Sequence, residues 1–187
     1  MRTLYVTEFI SLDGVVEAPG GEEGYRHSGW TFDIEEDPAR YEFKAEETFA
    51  TETLLLGRTT YEGFAAAWPE RDGDFADKFN SMEKVVVSTT LSDPAWNNTT
   101  VVRDLDAVRA MREGDGGSIG VHGSPTLAQS LHKAGLVDEW HLMVFPVILG
   151  SGKRLFPSDA GDKQKLTLRE TRTYTNGIQL NIFETVR

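Results

Sequence analysis

The sequence contains no cysteine in 187 residues. This absence excludes a disulfide-stabilised scaffold, a zinc ribbon and catalysis by a thiol. The chain also lacks an apolar run of about 20 residues, the length that a membrane-spanning helix requires. Its first residues do not show the charged-then-apolar pattern of a secretory signal peptide. We therefore expect a cytoplasmic protein with no membrane partner.

Basic residues are scarce relative to acidic ones. There are 19 Lys and Arg against 30 Asp and Glu, a formal net charge of −11. Nucleic acids are held by clustered Lys and Arg, so we expect no nucleic-acid partner. The chain is 39% hydrophobic, which is enough for a sizeable core, and its length suits one domain spanning residues 1–187. A small anionic ligand would need a few well-placed donors.

Short β-rich runs alternate with helical patterns along most of the chain. This alternation predicts parallel strands connected by helices on both faces of a sheet. Near the C-terminus, Asn176-Gly177 separates two strand patterns and predicts an antiparallel hairpin. We therefore expect a three-layer α/β/α fold, with a mostly parallel central sheet and a C-terminal antiparallel β-hairpin.

One helix is predicted to begin at Asp37-Pro38, with Asp37 as its N-cap. Tyr41, Ala45 and Phe49 follow at four-residue spacing. This spacing places them on one face of the helix.

Three strand-to-helix junctions carry residues suited to an anionic ligand, because helix N-termini offer free N–H groups and a partial positive charge. They are Gly57-Arg58-Thr59-Thr60, Ser88-Thr89-Thr90 and Gly120-Val121-His122-Gly123-Ser124-Pro125-Thr126. In the third, Ser124 is a suitable N-cap and Pro125 a suitable first helical residue. Neither G-x-G-x-x-G after the first strand nor a P-loop motif is present, so these junctions do not form a Rossmann or kinase-type site.

Other catalytic motifs find little support in the sequence. The four histidines do not have metal-ligand spacing, so we expect no metal site. No serine stands in a G-x-S-x-G elbow, which argues against a hydrolase triad. His122 is the one histidine beside a candidate ligand turn. Asp13 lies in a loop facing the presumed cleft, where an apolar environment would raise its pKa and make it a candidate general acid.

Several of these motifs, taken in order, resemble a known superfamily over essentially the whole chain. Ser11-Leu12-Asp13-Gly14, Leu56-Gly57-Arg58-Thr59-Thr60-Tyr61-Glu62 and Ser88-Thr89 resemble the dihydrofolate reductase fold. The segments 123–127, 135–139 and 146–152 are more specifically similar to the reductase domain of the bifunctional deaminase–reductase of riboflavin biosynthesis.

The resemblance implies NADPH-dependent hydride transfer to a small pyrimidine- or pterin-like substrate, most like 5-amino-6-(5-phosphoribosylamino)uracil. The positions that would hold the cofactor are Gly57, Arg58, Thr59, Thr60, Ser88, Thr89, Gly120, Gly123, Ser124, Pro125, Thr126 and Leu127. Trp30, His122 and Arg154 would contact substrate, with Lys153 as a second basic group beside Arg154. The related reductases also associate through sheet edges, so a homodimer is expected.

The chain departs from these families at identifiable positions. Folate reductases carry a pterin-binding acid where alignment places Ala39, and only Asp33 or Asp37 could substitute for it. In the riboflavin-type reductases an acid often precedes the Gly-Pro-Thr turn, where this chain has His122, and Ser124 replaces the glycine. Two alternatives therefore stay open: a dihydrofolate reductase, and a non-catalytic nucleotide-binding module on the same fold.

Overall fold

The computed structural model describes residues 1–39 and 41–187 and contains eight strands and five α-helices among them. In chain order, β1 to β8 are Leu4–Ser11, Thr51–Gly57, Glu83–Val87, Thr99–Val102, Ser118–His122, Glu139–Phe145, Leu166–Thr173 and Gln179–Thr185. The helices α1 to α5 are Pro38–Ala50, Arg58–Ala67, Asp74–Ser81, Leu105–Glu113 and Pro125–Lys133. None of the helices in the described residues combines the length and the apolar character needed to cross a membrane.

All eight strands form one sheet in the order β4-β3-β2-β5-β1-β6-β8-β7. The pairs from β4 through β6 are parallel. The last two strands, β7 and β8, pair with each other and with β6 in antiparallel orientation. The predicted fold class is confirmed, including the closing hairpin, and β1 and β5 lie in the middle of the sheet.

The sheet separates two layers of helices, and neighbouring residues of β2 show how. Leu55 packs in a core with residues of α4 and α5. Leu54 and Leu56 point to the opposite face, where they pack with residues of α2 and α3. A third cluster, which includes Phe43 of α1, lies on the same side over β6 and β8. Successive side chains of a strand alternate between faces, so each strand contributes to both layers.

Helix α1 does not bury the face that carries Tyr41 and Phe49. Tyr41 and Phe49 are 47% and 50% exposed, and the buried residues are Phe43, Glu47 and Thr48. The predicted N-cap is confirmed, since the Asp37 carboxylate accepts a hydrogen bond from the Ala39 N–H. The helix turns a largely polar face to the sheet because the strand residues beneath it are themselves polar. This polar layer becomes important at the site.

Candidate functional site

Two helix N-termini meet at the carboxyl edge of the sheet. Helix α2 starts directly after Gly57 at the end of β2, and α5 starts after Ser124, just beyond β5. The Gly57 N–H donates to Ser124 Oγ at 3.0 Å. We call residues Gly57–Thr60 and Gly123–Thr126 the helix-terminus cradle. No side chain among the described residues caps either helix, so their first-turn N–H groups form a local positive potential there.

Ser124 therefore does not cap α5 as expected. Its backbone is left-handed, with φ 61° and ψ 49°, and its hydroxyl accepts from the neighbouring junction. Gly123 is also left-handed, with φ 59°. A Cβ at Gly123 would lie 3.3 Å from Thr60 Cγ2, so the two turns of the cradle approach each other closely. Glycine at this position satisfies both the backbone conformation and the close contact.

Two cations lie at the cradle. Arg58, the first residue of α2, is half exposed, and its Nε is 3.8 Å from Glu62 Oε1. Lys153 donates from Nζ to Thr126 Oγ1 at 3.3 Å. The sequence placed Lys153 only as a companion of Arg154. In the structure it brings a positive charge to the start of α5.

Ser88 and Thr89 lie beyond the end of β3, next to β2. The Ser88 hydroxyl accepts from the N–H groups of Thr90 and Leu91, at 3.2 and 3.0 Å, and shapes the turn, while Thr89 is exposed. Arg103 holds this turn by donating from Nη1 to the carbonyl oxygens of Ser88 and Leu91, each at 2.8 Å. Arg103 could not be identified from the sequence, because its contact with this turn depends on the pairing of β3 with β4.

The remaining predicted cofactor residues fall into two groups. Pro125 begins α5 as expected and Thr126 is exposed beside it. Leu127 is buried in the core. Gly120 lies within β5, where a Cβ would be 2.5 Å from Tyr5 Oη. The structure thus places Gly120 beneath a core tyrosine and away from the cradle.

Asp13 is held by its own loop. Its carboxylate accepts from Ser11 Oγ at 2.7 Å and from the N–H groups of Leu149 and Gly150 at 3.1 and 2.9 Å. Partial desolvation opposes ionisation, but these hydrogen bonds outweigh it and lower the pKa of Asp13. The expected raised pKa is therefore wrong, because the loop supplies donors where an apolar cleft was assumed. An ionised carboxylate that accepts three hydrogen bonds is a poor proton donor.

Arg154 lies against the same loop. Its guanidinium donates to the Asp13 carbonyl oxygen, and its Nη2 is 3.6 Å from Asp13 Oδ2. Its own carbonyl accepts from Gln129 Nε2 at 2.8 Å. Arg154 thus ties the loop after β1 to α5 and remains partly exposed.

Trp30, expected over the substrate, is only 1% exposed. Its indole N–H donates to the Glu17 carbonyl at 2.8 Å, and its ring packs edge-on against Phe145. In this structure Trp30 is a core residue beneath the loop that follows β1.

A buried group of polar side chains lies between the sheet and α1, which we call the polar seam. Its members are Tyr5, Thr7, Lys44, Glu47, His122 and His141. Glu47 is at the centre, with Oε2 2.6 Å from Lys44 Nζ and Oε1 2.6 Å from His141 Nδ1. Thr7 accepts from Lys44 Nζ at 2.6 Å and donates to Glu47 Oε2 at 3.1 Å. The sequence had singled out His122 but had not indicated the cluster.

The seam has a defined charge distribution. Desolvation opposes ionisation of Glu47, but Lys44 and the hydrogen bond from His141 lower its pKa to about 2. Desolvation also opposes protonation of His141, whereas hydrogen bonds to Glu139 and Glu47 raise its pKa. Buried charges persist only when they are paired and hydrogen-bonded. Glu47 and His141 are both paired and hydrogen-bonded.

His122, an expected substrate contact, is the uncharged member of the seam. It is 6% exposed and packs against Phe79 and Tyr5. Burial, together with the charge of Lys44, lowers its pKa to about 3, so the imidazole is neutral at physiological pH. Its Nε2 has no hydrogen-bond partner among the described residues.

Glu8 is a second unusual acid, on the opposite face of β1. It is 4% exposed, its Oε1 lacks a partner in the described part of the chain, and burial raises its pKa to about 8. A carboxyl whose folded pKa is raised binds its proton more tightly when folded, so its contribution to stability is lost as pH rises from about 4.5 to about 8.

We predict that Glu8→Gln flattens this pH dependence, because the amide keeps the side-chain shape without titrating. Urea unfolding between pH 5 and pH 8 measures the effect, with Glu42→Gln on the exposed surface of α1 as the control. An equally steep loss of stability in Glu8→Gln would show that another group causes it.

The fold and these junctions agree with a family comparison. The model of the RibD C-terminal domain matches residues 2–180. The chain belongs to the RibD C-terminal domain family. Members of this family are typically reductases, which supports an oxidoreductase function in general and implies a nicotinamide cofactor.

Similar proteins match over nearly the full length. YyaP of Bacillus subtilis (strain 168) is 27% identical, with 95% of this chain and 92% of YyaP covered. YwjB of the same organism is 26% identical, covering 95% and 94%. A crystal structure from Shewanella sp. PV-4, whose name assigns the protein to riboflavin biosynthesis, superposes with a TM-score of 0.76. It covers 99% of both chains at 18% identity, which shows a shared fold.

The helix-terminus cradle fits the phosphates of such a cofactor. Its side-chain-uncapped N–H groups, the Gly123 position that a Cβ would fill, and the cations Arg58 and Lys153 together suit a pyrophosphate. Among the described residues, no group of three or more His, Cys, Asp or Glu is arranged to hold a metal ion.

The expected substitutes for a pterin-binding acid do not favour folate. The Asp37 carboxylate accepts from Ala39 and from the N–H and hydroxyl of Thr175, at 2.8 and 2.6 Å. It therefore fastens the start of α1 to the β7–β8 turn. Asp33 is exposed at the end of a 3₁₀ turn.

Proposed function

We propose that this protein is an NADPH-dependent reductase that transfers a hydride to a pyrimidine- or pterin-like small molecule. The small molecule would be most like the substrate of the riboflavin-pathway reductase, 5-amino-6-(5-phosphoribosylamino)uracil. One observation carries the proposal: the N-termini of α2 and α5, coupled by the Gly57–Ser124 hydrogen bond, leave their first-turn donors without side-chain caps. The family match supports a reductase, and the name of the Shewanella protein supports the riboflavin pathway.

The residues of the cradle would hold the cofactor through its phosphates. The N–H groups of Thr59 and Thr60 and those at the start of α5 would donate to phosphate oxygens, and Arg58 would offer a bidentate contact. Ser88, Thr89 and Arg103 form the adjoining turn, where the ribose and its 2′-phosphate would lie. NADPH supplies the hydride when bound, and the protein supplies position and a water-excluding pocket.

Turnover separates the three candidate functions. Oxidation of NADPH that depends on 5-amino-6-(5-phosphoribosylamino)uracil supports the proposal. Oxidation that depends on dihydrofolate, with tight methotrexate binding, would identify a folate reductase instead. Cofactor binding without turnover of either substrate would indicate a non-catalytic module.

Arg58→Ala is predicted to weaken NADPH binding about tenfold or more. A charge-assisted hydrogen bond contributes about 1.5–3 kcal/mol, and about 1.4 kcal/mol corresponds to tenfold in affinity. Titration of cofactor fluorescence measures the change. Arg109→Ala on α4 removes the same charge from an exposed position elsewhere and serves as the control. Equal NADPH affinities in the two variants would show that Arg58 does not contact the cofactor.

A further inference from the structure

We propose that Lys44 contacts the substrate directly and that its ammonium group, together with His122, selects a substrate with a carbonyl next to a ring N–H. This inference rests on the proposed function and specifies the substrate edge that the site reads. Lys44 lies in α1, outside the strand-to-helix junctions that the sequence marked as ligand sites.

Lys44 lies where α1 crosses β1. Its amine stands over the rings of Phe9 and Phe43, with Nζ 5.4 and 6.0 Å from the two ring centroids. Its side chain is 14% exposed, so the amine is partly withdrawn from water while the side chain still reaches a surface. These two rings give an apolar surround in which a single charge acts strongly.

The amine is also close to the helix-terminus cradle. Thr7, which accepts from Lys44, pairs in register with His122 on the adjacent strand β5. Neighbouring strands are about 4.8 Å apart. His122 immediately precedes Gly123 of the cradle, so Lys44 lies about one strand spacing from the residue that leads into it. The seam therefore adjoins the residue that leads into the cradle.

Within the described part of the chain, the Lys44 amine retains one N–H for a ligand. An ammonium group has three donors, and the hydrogen bonds to Thr7 and Glu47 use two of them. These two bonds hold the amine in one place, because Glu47 is itself held by His141, which in turn is bonded to Glu139 at 2.9 Å. The third proton suits an acceptor such as a carbonyl oxygen.

His122 provides an independent observation that points to a ligand. Its Nε2 is buried and has no partner among the described residues, which is costly for a polar atom. A neutral imidazole nitrogen without a proton accepts a hydrogen bond. With Nδ1 carrying the proton, Nε2 would accept from a ring N–H while Lys44 donates to the carbonyl beside it. Pyrimidinediones and pteridinediones carry this pair of groups.

Lumazine, a fluorescent pteridine-2,4-dione, is a suitable probe of this edge in the absence of cofactor. We expect Lys44→Gln to weaken lumazine binding at least tenfold, and Lys44→Arg to stay within about threefold of wild type, because a donor cation is kept. Lys163→Gln, at an exposed position, should bind as wild type does. The methylated analogue 1,3-dimethyllumazine, which lacks the ring N–H, should bind the wild-type protein more weakly than lumazine.

Two results would overturn the inference: no binding of lumazine by wild type, or equal binding by wild type and Lys44→Gln. NADPH titration of the same proteins distinguishes a failure of the Lys44 inference from a failure of the proposed function. Wild type that binds NADPH while Lys44→Gln binds lumazine normally contradicts the role of Lys44 alone. Wild type that fails to bind NADPH contradicts the proposed function.

A measurement on the wild-type chain covers the case in which Lys44→Gln does not fold. Reductive methylation followed by mass spectrometry reports the reactivity of each lysine. We expect lumazine to protect Lys44 and to leave Lys163 unchanged. Equal methylation of Lys44 with and without lumazine, or an unreactive Lys44 in the free protein, would contradict a contact with substrate.

Discussion

Replacing Glu47 by Gln is expected to lower the free energy of unfolding by about 3–5 kcal/mol at neutral pH. Removing one partner of a buried ion pair leaves the other charge without compensation, and that is the costly case. Glu47 is 8% exposed and is the shared partner of Lys44 and His141. Urea unfolding followed by circular dichroism measures the loss. Lumazine affinity, measured on the folded variant at low temperature, should fall as well, because Lys44 loses its anchor.

The pH dependence of the same variant provides a second reading. The folded pKa of Glu47 is lowered to about 2 from an ordinary value of 4.5. A carboxyl with a lowered folded pKa stabilises the protein above its unfolded pKa, and this contribution is lost as pH falls through the folded pKa. The gap in stability between wild type and Glu47→Gln should therefore narrow between about pH 4.5 and pH 2.

Glu46→Gln is the matched control for this prediction. Glu46 is the preceding residue of α1, its side chain is 67% exposed, and its carboxylate lies 3.7 Å from Arg172. Exposed ion pairs contribute at most about 1 kcal/mol, so this variant should stay close to wild type. If the two glutamine variants were equally stable, the polar seam would not hold α1 to the sheet.

The polar seam also shows which features of α1 could not be predicted from the sequence. Helix α1 and its N-cap were predictable, because Asp37-Pro38 is a local signal. The buried face was not, because Tyr41, Ala45 and Phe49 form as regular a pattern as the true inward pair of Phe43 and Glu47. The cost of burying Glu47 is offset only by its ion pairs with Lys44 and with His141, which is 94 residues away in the chain. Single-sequence periodicity cannot detect such a distant partner.

The cradle was more predictable than the seam, for the same physical reason. Glycine turns followed by hydroxyl residues at strand ends are local features, and both junctions are found where the sequence placed them. What the sequence missed was how they join: Ser124 accepts from Gly57, 67 residues away, and takes a left-handed backbone in doing so. The position of Arg103 likewise depends on the pairing of β3 with β4.

Gly120→Ala is expected to destabilise the protein by about 3 kcal/mol, because overpacking a closed core forces neighbouring groups to move. The added Cβ would lie 2.5 Å from Tyr5 Oη, 2.7 Å from Tyr5 Cζ and 3.1 Å from Thr51 Cγ2. The tyrosine ring is stiff, and its hydroxyl is bonded to Thr51 Oγ1, so it cannot turn aside without breaking that bond. Thermal and urea unfolding measure the loss.

Cofactor titration of Gly120→Ala then distinguishes a structural glycine from one that contacts NADPH. We expect NADPH affinity within about twofold of wild type at a temperature where the variant is folded, because Gly120 lies outside the cradle. Gly63→Ala is the matched control. Beyond its own helix backbone, no atom of the described residues lies within 4 Å of the added Cβ, and alanine in a helix should stabilise the protein by about 0.5–1 kcal/mol. Adding Tyr5→Phe to Gly120→Ala removes the contact at 2.5 Å but keeps that at 2.7 Å, so recovery should be partial. Normal stability with weakened NADPH binding in Gly120→Ala would instead place this residue at the cofactor.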